Sequence, residues 1–540
     1  MAAIPFTREA MLRQLSEVPE WDVLVIGGGS TGLGTALDAA SRGYKTLLLE
    51  QSDFAKGTSS RSTKLVHGGV RYLAQGNIRL VFEALRERGI LLLNAPHVVS
   101  VQPFVILCYS WWQRFFYGIG LTLYDFLAGR YSLGRTAWWS RKTVLERMPT
   151  AKPENLKGGI VYYDGQFDDA RLALNIAQTC AEQGGTVLNY VRVTGLTKDA
   201  NRKVNGVEAL DLETAQPYTL RARAVVNATG VYVDDILQLD QPDRKPLVMP
   251  SQGVHVVLDK SFLPGGTALM IPKTPDGRVL FAIPWQGHVL VGTTDTPLHQ
   301  LSLEPVALDA EIDFILQTAG AYLQQPPTRQ DVLSVFAGLR PLAAPDSLTG
   351  NTKEISRSHK LLVAPSGLIT ITGGKWTTYR QMAEDTVNAA IRVAGLPAIP
   401  CLTEKLPIHG AIPASSIPAA DGPGELARYG SDAAALQALM QTEPELAQKL
   451  HPDFSYTLAQ VVWAVRHEMA RTVEDVLARR LRVLFLDARA ALAMAPAVAA
   501  LMARELNRDE AWQREQVAAF ERLARHYLPQ PAEKTVVQAL

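Results

Sequence analysis

Val23-Leu24-Val25-Ile26-Gly27-Gly28-Gly29-Ser30-Thr31-Gly32 is the stretch on which the fold turns. An apolar run meets a glycine loop, and Leu33 to Arg42 continues with helical character, so the order is strand, turn, helix. A second apolar run, Thr46-Leu47-Leu48-Leu49, ends in Glu50, eighteen residues after Gly32, the length of a βαβ dinucleotide unit. Gly27 permits the tight turn, Gly29 lets the backbone beside Gly28, Ser30 and Thr31 approach a pyrophosphate, and Gly32 lets helix and strand pack closely. The Glu50 carboxylate accepts from a ribose hydroxyl and repels a 2′-phosphate, which leaves FAD or NAD and disfavours NADP. Gln51, beside it, is placed at the same cofactor rim.

Outward from this unit, two more apolar strands run into glycine. One, beginning at Ala222, ends in Asn227-Ala228-Thr229-Gly230; the other, beginning at Gly367, ends in Gly373-Gly374-Lys375 before a helical stretch. The separated pieces suggest one discontinuous nucleotide domain over residues 20–95, 160–245 and 335–395. Residues 96–159 and 246–334 form the expected substrate domain, with antiparallel strand patterns at Val254 to Val257, Ala268 to Ile271, Arg278 to Ile283 and His288 to Val291. A Pro-, Ala-, Ser- and Gly-rich stretch at 413–424 lies within the start of an all-helical domain expected over residues 400–540.

Composition narrows the function. The 540 residues are 47% hydrophobic and 20% charged, a globular balance, and 54 Lys+Arg against 53 Asp+Glu leave a net charge of +1. No global field draws the chain to nucleic acid. Cys108, Cys180 and Cys401 form neither a disulfide framework nor a CxxC pair, and the charged N-terminus lacks a signal-peptide core, so a cytoplasmic protein is expected. His467-Glu468 begins like a HExxH zinc helix, but Arg471 stands where the second ligand belongs, and no metal is assigned. The run Arg466, Arg471, Arg479, Arg480 and Arg482 alternates with acids and reads as a solvated helix face packed on the nucleotide domain. Residues 109–142 concentrate Trp111, Trp112, Phe115, Phe116, Tyr117, Tyr124, Phe126, Trp138 and Trp139 among Arg114, Arg130, Arg135, Arg141 and Lys142. Their apolar part is too short for a bilayer crossing of ~18 residues. An interfacial membrane anchor, an aromatic core and a homodimer interface all remain open.

Residues 58–73 read Thr-Ser-Ser-Arg-Ser-Thr-Lys-Leu-Val-His-Gly-Gly-Val-Arg-Tyr-Leu. With Tyr163-Asp164, Asp168-Asp169-Ala170-Arg171-Leu172, Gly292-Thr293-Thr294-Asp295, Gly338-Leu339-Arg340-Pro341 and Gly373 to Arg380, this strongly resembles the FAD-dependent, respiratory glycerol-3-phosphate dehydrogenases. The resemblance spans roughly residues 20–530. It implies an α/β fold followed by an α domain: a Rossmann-like FAD domain of the D-amino-acid-oxidase/glutathione-reductase-2 type, an antiparallel substrate domain and a helical C-terminal domain. It further implies Thr58, Ser59, Ser60, Ser62, Thr63, Lys64, Leu65, His67, Gly68, Gly69, Gly374 and Thr377 at the cofactor, and Arg71, Tyr72, Arg357 and Lys375 at the substrate. Lys375 belongs to both sets, and Arg340 is assigned to the cofactor and to catalysis.

Chemistry supports the assignment from a second side. A phosphate dianion suits several fixed cations, guanidinium forks above all, and Arg71, Arg340, Arg357 and Lys375 lie in or near glycine-bearing motifs. Oxidation of a secondary alcohol to a flavin needs a base, and His255, on a strand of the substrate domain, is the candidate. A packed strand histidine is the plainer alternative, and Val254 stands where a small polar residue is expected. The leading reading is oxidation of a phosphorylated polyol, sn-glycerol 3-phosphate, on the inner face of the cytoplasmic membrane with quinone as acceptor. A soluble oxidase using O2 and a non-catalytic flavin-binding sensor are the alternatives. No EF-hand loop is evident.

Overall fold

A computed structural model describes residues 3–70, 77–274, 277–298, 300–343, 359–416 and 426–529. Trp21–Ile26 is apolar and buried on both faces, as a central parallel strand must be. It lies between Pro217–Asn227 and Thr46–Leu49, with Val23 opposite Ala224 on one side and Thr46 on the other. Thr186–Leu188 extends this parallel sheet at one edge and Ile369–Gly373 at the other, and His359–Val363 closes it as an antiparallel partner. The helices Ser30–Ser41, Asp169–Glu182 and Tyr379–Ala394 pack on it and on one another. The carboxyl ends of Trp21–Ile26, Pro217–Asn227 and Ile369–Gly373 therefore open on one crevice, where open α/β sheets bind ligands.

A second sheet holds ten strands, all antiparallel except where Ala268–Ile271 runs parallel to Val99–Cys108. Its centre is Val248–Asp259, paired along its length with Val332–Ala343. The sheet also takes Gly158–Phe167 and the whole of Val332–Ala343, strands lying largely within segments that the sequence reading gave to the nucleotide domain. The helix Asp309–Gly320 and the apolar side chains of this sheet's rear face form one core. The helix Trp111–Ala128 covers another part of the sheet through Leu121, Tyr124 and Ala128.

From residue 426 on the described chain is helical, including Leu458–Glu468, Ala488–Leu506 and Glu510–Ala524, and residues 417–424 of the Pro-, Ala-, Ser- and Gly-rich stretch lie outside the described part. Of the arginine run Arg466 is exposed and Arg471 partly buried, but the rest is not a solvated face. Arg479, Arg480 and Arg482 are fully buried, and Asp53, Asp169 and Asp475 receive them. Interleaved acids suggested a surface because both arrangements need charge balance. Here the balancing carboxylates come from the nucleotide half as well as from the turn itself.

Candidate active site

The crevice holds two adjoining cavities of about 430 and 320 Å3 that share Thr58, Pro341, Gly373, Gly374, Lys375 and Trp376. The larger is lined by Gly27, Gly29, Ser30, Thr31, Glu50, Gln51, Ser59 and Ala228 to Gly230. Gly28 and Gly32 support it from behind. A Cβ on Gly32 would fall 1.9 Å from the Gly27 carbonyl oxygen, so helix and strand meet here only without one. Glu50 accepts from Gly28 N–H at 2.6 Å and Ser52 N–H at 2.8 Å, while burial pushes its carboxyl up. Ser30 N–H donates to Ser59 Oγ at 2.9 Å, and Trp376 Nε1 to the Ser59 carbonyl at 2.8 Å, tying the loop after residue 57 to the phosphate turn.

The smaller cavity lies against the second sheet and takes in Ser62, Thr63, Leu65, His67, Gly69, His255, Arg340 and Thr377. Strand alternation explains His255: residues 253 and 255 share the cavity face, while Val254 enters the core behind. Its ring stacks on Phe336 with centroids 5.0 Å apart, and Nε2 lies 3.0 Å from Thr63 Oγ1. Nδ1 is buried without a hydrogen-bond partner. Burial, then the charges of Lys64 and Arg340, hold the imidazole well below its usual range, so it is neutral at pH 7.

The Arg340 guanidinium sits beside Gly253, where a Cβ would come within 2.3 Å of it. It donates to Thr293 Oγ1 at 3.1 Å and the Thr294 carbonyl at 3.0 Å, with Asp295 at 3.4 Å. Lys375 lines both cavities. Arg71, Tyr72 and Arg357 lie outside the described residues.

Ser60 and Lys64 stand behind the wall rather than in it: the Lys64 ammonium donates to Asp169 and to the Ser60 carbonyl, each at 2.7 Å. Burial pulls that ammonium down to about 7, although Asp169 opposes it. Gly68 is pressed against Tyr124 and gives its N–H to Asp164, which also takes Arg88 at 2.7 Å and the Tyr124 hydroxyl at 2.9 Å. Sequence reading missed Arg278 and the apolar wall of Phe104, Tyr162, Met270 and Phe281. Asp164 and Asp295 could have been found from their motifs, whereas the apolar residues read as ordinary strand core.

The glycine turn, the ribose-side carboxylate and the adjoining cavity with base and cations fit FAD and define a flavin-dependent oxidoreductase. The pattern of FAD dependent oxidoreductases matches residues 22–380, and that of the C-terminal domain of alpha-glycerophosphate oxidase matches residues 401–513. A probable mitochondrial glycerol-3-phosphate dehydrogenase of Caenorhabditis elegans is 42% identical, over 99% of this chain and 77% of that protein. The human mitochondrial glycerol-3-phosphate dehydrogenase is 41% identical over 95% of this chain and 74% of its own length. The crystal structure of the Bacillus halodurans glycerol-3-phosphate dehydrogenase complexed with FAD is 31% identical, with a TM-score of 0.78, over 97% of this chain and 99% of that one. The chain belongs to the glycerol-3-phosphate dehydrogenases of the FAD-dependent oxidoreductase family, and FAD is its cofactor.

Proposed function

We propose that the chain oxidises sn-glycerol 3-phosphate to dihydroxyacetone phosphate and delivers the electrons to a quinone at a membrane surface. The observation that carries the chemistry is the meeting of His255, Arg340 and Lys375 in one cavity beside the dinucleotide groove. FAD, when bound, supplies the hydride acceptor. Arg340 and Lys375 hold the phosphate dianion, with Arg71 and Arg357 assigned to the same task from their motifs. The neutral His255 imidazole takes the hydroxyl proton, and a bound dianion offsets the cations that depress its basicity. The apolar wall excludes water around the reacting carbon.

The membrane reading rests on the helix Trp111–Ala128. Trp112, Phe116, Ile119, Leu123 and Phe126 recur every three to four residues on its outer face, with Trp112 76% and Phe126 81% exposed. Leu121 and Tyr124 face inward, so apolar residues stand on both the inner and the outer face. Cations at Arg130, Arg135, Arg141 and Lys142 follow it, the pattern of a helix lying in a bilayer interface. No helix among the described residues is long and apolar enough to cross a membrane. Three free cysteines suit the reducing, inner face of a cytoplasmic membrane.

Anaerobic mixing of the holoprotein with sn-glycerol 3-phosphate tests the reading: flavin absorbance bleaches, then recovers fast with a soluble quinone and slowly with oxygen. No bleaching excludes this substrate, and fast recovery with oxygen makes the chain an oxidase. Because its base is neutral well below the usual histidine range, kcat/KM holds into the acid and falls only below pH 6.5.

A further inference from the structure

The motif Asp168-Asp169-Ala170-Arg171-Leu172 and the buried arginine turn have no part in the chemistry above, yet they meet behind the active site. Asp169 is fully buried at the first turn of the helix Asp169–Glu182. One carboxylate oxygen accepts from Ser62 N–H at 3.2 Å, Ser62 Oγ at 2.7 Å and Lys64 Nζ at 2.7 Å. The other accepts from Arg482 Nη2 at 2.9 Å and from Ala170 N–H at 2.9 Å. The same Arg482 nitrogen reaches the Ser60 carbonyl at 3.0 Å. Arg482 is thus a point at which the helical domain holds two separate segments of the nucleotide half, and its guanidinium is packed against Trp285 and Phe485.

The segment so held, Ser60 to Thr63, ends at the hydroxyl on His255 Nε2. Stacking on Phe336 fixes the plane of the imidazole, and Thr63 makes the hydrogen bond that decides how its edge is turned. No residue of the helical domain lines either cavity among the described residues. It reaches the lining through Glu474 on Lys56 and Phe485 on Arg61, and the Ser60–Thr63 turn through this clamp.

We propose that Arg482 is a positioning residue for the oxidation: by fixing the Ser60 carbonyl and the Asp169 carboxylate it sets the Ser60–Thr63 turn, and with it the Thr63 hydroxyl that orients His255. The proposal rests on His255 as the base. Nη2 serves both acceptors while Nη1 is held by the Ala478 carbonyl at 3.0 Å, so the planar fork fixes the direction of the two bonds, a geometry that the point charge of lysine does not reproduce. Lys64 still pairs with Asp169 when Arg482 is replaced, so the carboxylate is not left alone.

The test is a double-mutant cycle on the FAD-loaded protein, with R482M and T63V as the single variants. Each lowers kcat/KM by about tenfold, the size of one lost hydrogen bond, and the pair together by little more than either alone. Hydrogen exchange of the peptide covering residues 59–65 becomes faster in R482M, and T63S restores most of the activity lost in T63V. Additive losses near a hundredfold, wild-type kinetics in R482M, or unchanged exchange in that peptide each overturn the proposal. Should R482M not fold, R482K enters the same cycle with the same expectation, since it keeps the charge and loses the fork. H255N separates the premise: wild-type turnover in that variant removes the base and the proposal with it. An inactive H255N beside an additive cycle overturns only the role of Arg482.

Discussion

The helix Trp111–Ala128 and the turn from Asp475 to Arg482 exchange the places that their compositions suggest. The first is rich in aromatics and presents Trp112, Ile119 and Phe126 to solvent. The second carries three arginines and is wholly buried. What decides the place of a segment is its partners. Arg479 and Arg480 are covered because Asp53 takes both, Glu474 and Asp475 share Arg479, and Glu468 accompanies Arg480. Burial pushes Asp53 up, but the two arginines outweigh it and hold the carboxyl at about 2. The aromatic stripe has no such cover among the described residues, and the bilayer is the cover proposed for it.

The largest effect is expected from breaking the buried side. Asp53→Ala leaves two guanidiniums without their shared carboxylate, and removal of one partner of a buried pair costs about 3–5 kcal/mol. Loss of soluble holoprotein, or a sharply lower thermal midpoint, is the expected outcome; an unchanged midpoint would mean that the turn is held by packing alone.

The exposed side breaks differently. Phe116→Glu with Phe126→Glu removes two apolar anchors and weakens sedimentation with anionic vesicles roughly a hundredfold. Turnover with a soluble acceptor stays as it was, because neither ring touches the cavity. Vesicle binding that survives both charges would assign the stripe to another partner.

The smallest effect sharpens the contrast at a half-exposed contact between the same halves. His409 lies between Glu182 and Asp432, and although burial pulls its pKa down, the two carboxylates lift it to about 9. A raised pKa stabilises the fold fully below the usual value of 6.5, and that contribution is lost as pH rises through about 9. His409→Gln therefore lowers the thermal midpoint at pH 6 by the equivalent of about 1 kcal/mol or less, and the gap to wild type closes above pH 9. A gap independent of pH would make the contact one of shape.

How much of this was legible in the sequence follows from the range of each interaction. The strand–glycine–helix unit around Gly27 to Gly32 is local, so its residues name its structure, and Gly32 and Glu50 stand where their spacing put them. The strands around His255 were legible by alternation, which also explains why Val254 is apolar. Lys64 was misread because its motif adjoins the cavity, whereas its partner Asp169 lies 105 residues away. The buried arginines were misread for the same reason: Asp53 and Arg480 are 427 residues apart, and composition carries no trace of that pairing. The wall of Phe104, Tyr162, Met270 and Phe281 is assembled from four strands, each apolar for reasons that a plain sheet core would satisfy.

The proposed function joins oxidation of an alcohol in the groove to the exit of electrons at the aromatic face. Anaerobic turnover of sn-glycerol 3-phosphate in vesicles with and without quinone tests it most directly, comparing wild type with the Phe116→Glu, Phe126→Glu variant. The account predicts sustained turnover only for wild type on quinone-bearing vesicles, with the variant falling to the quinone-free level. Equal turnover by the two proteins, or oxygen in solution sustaining the same rate, would contradict it.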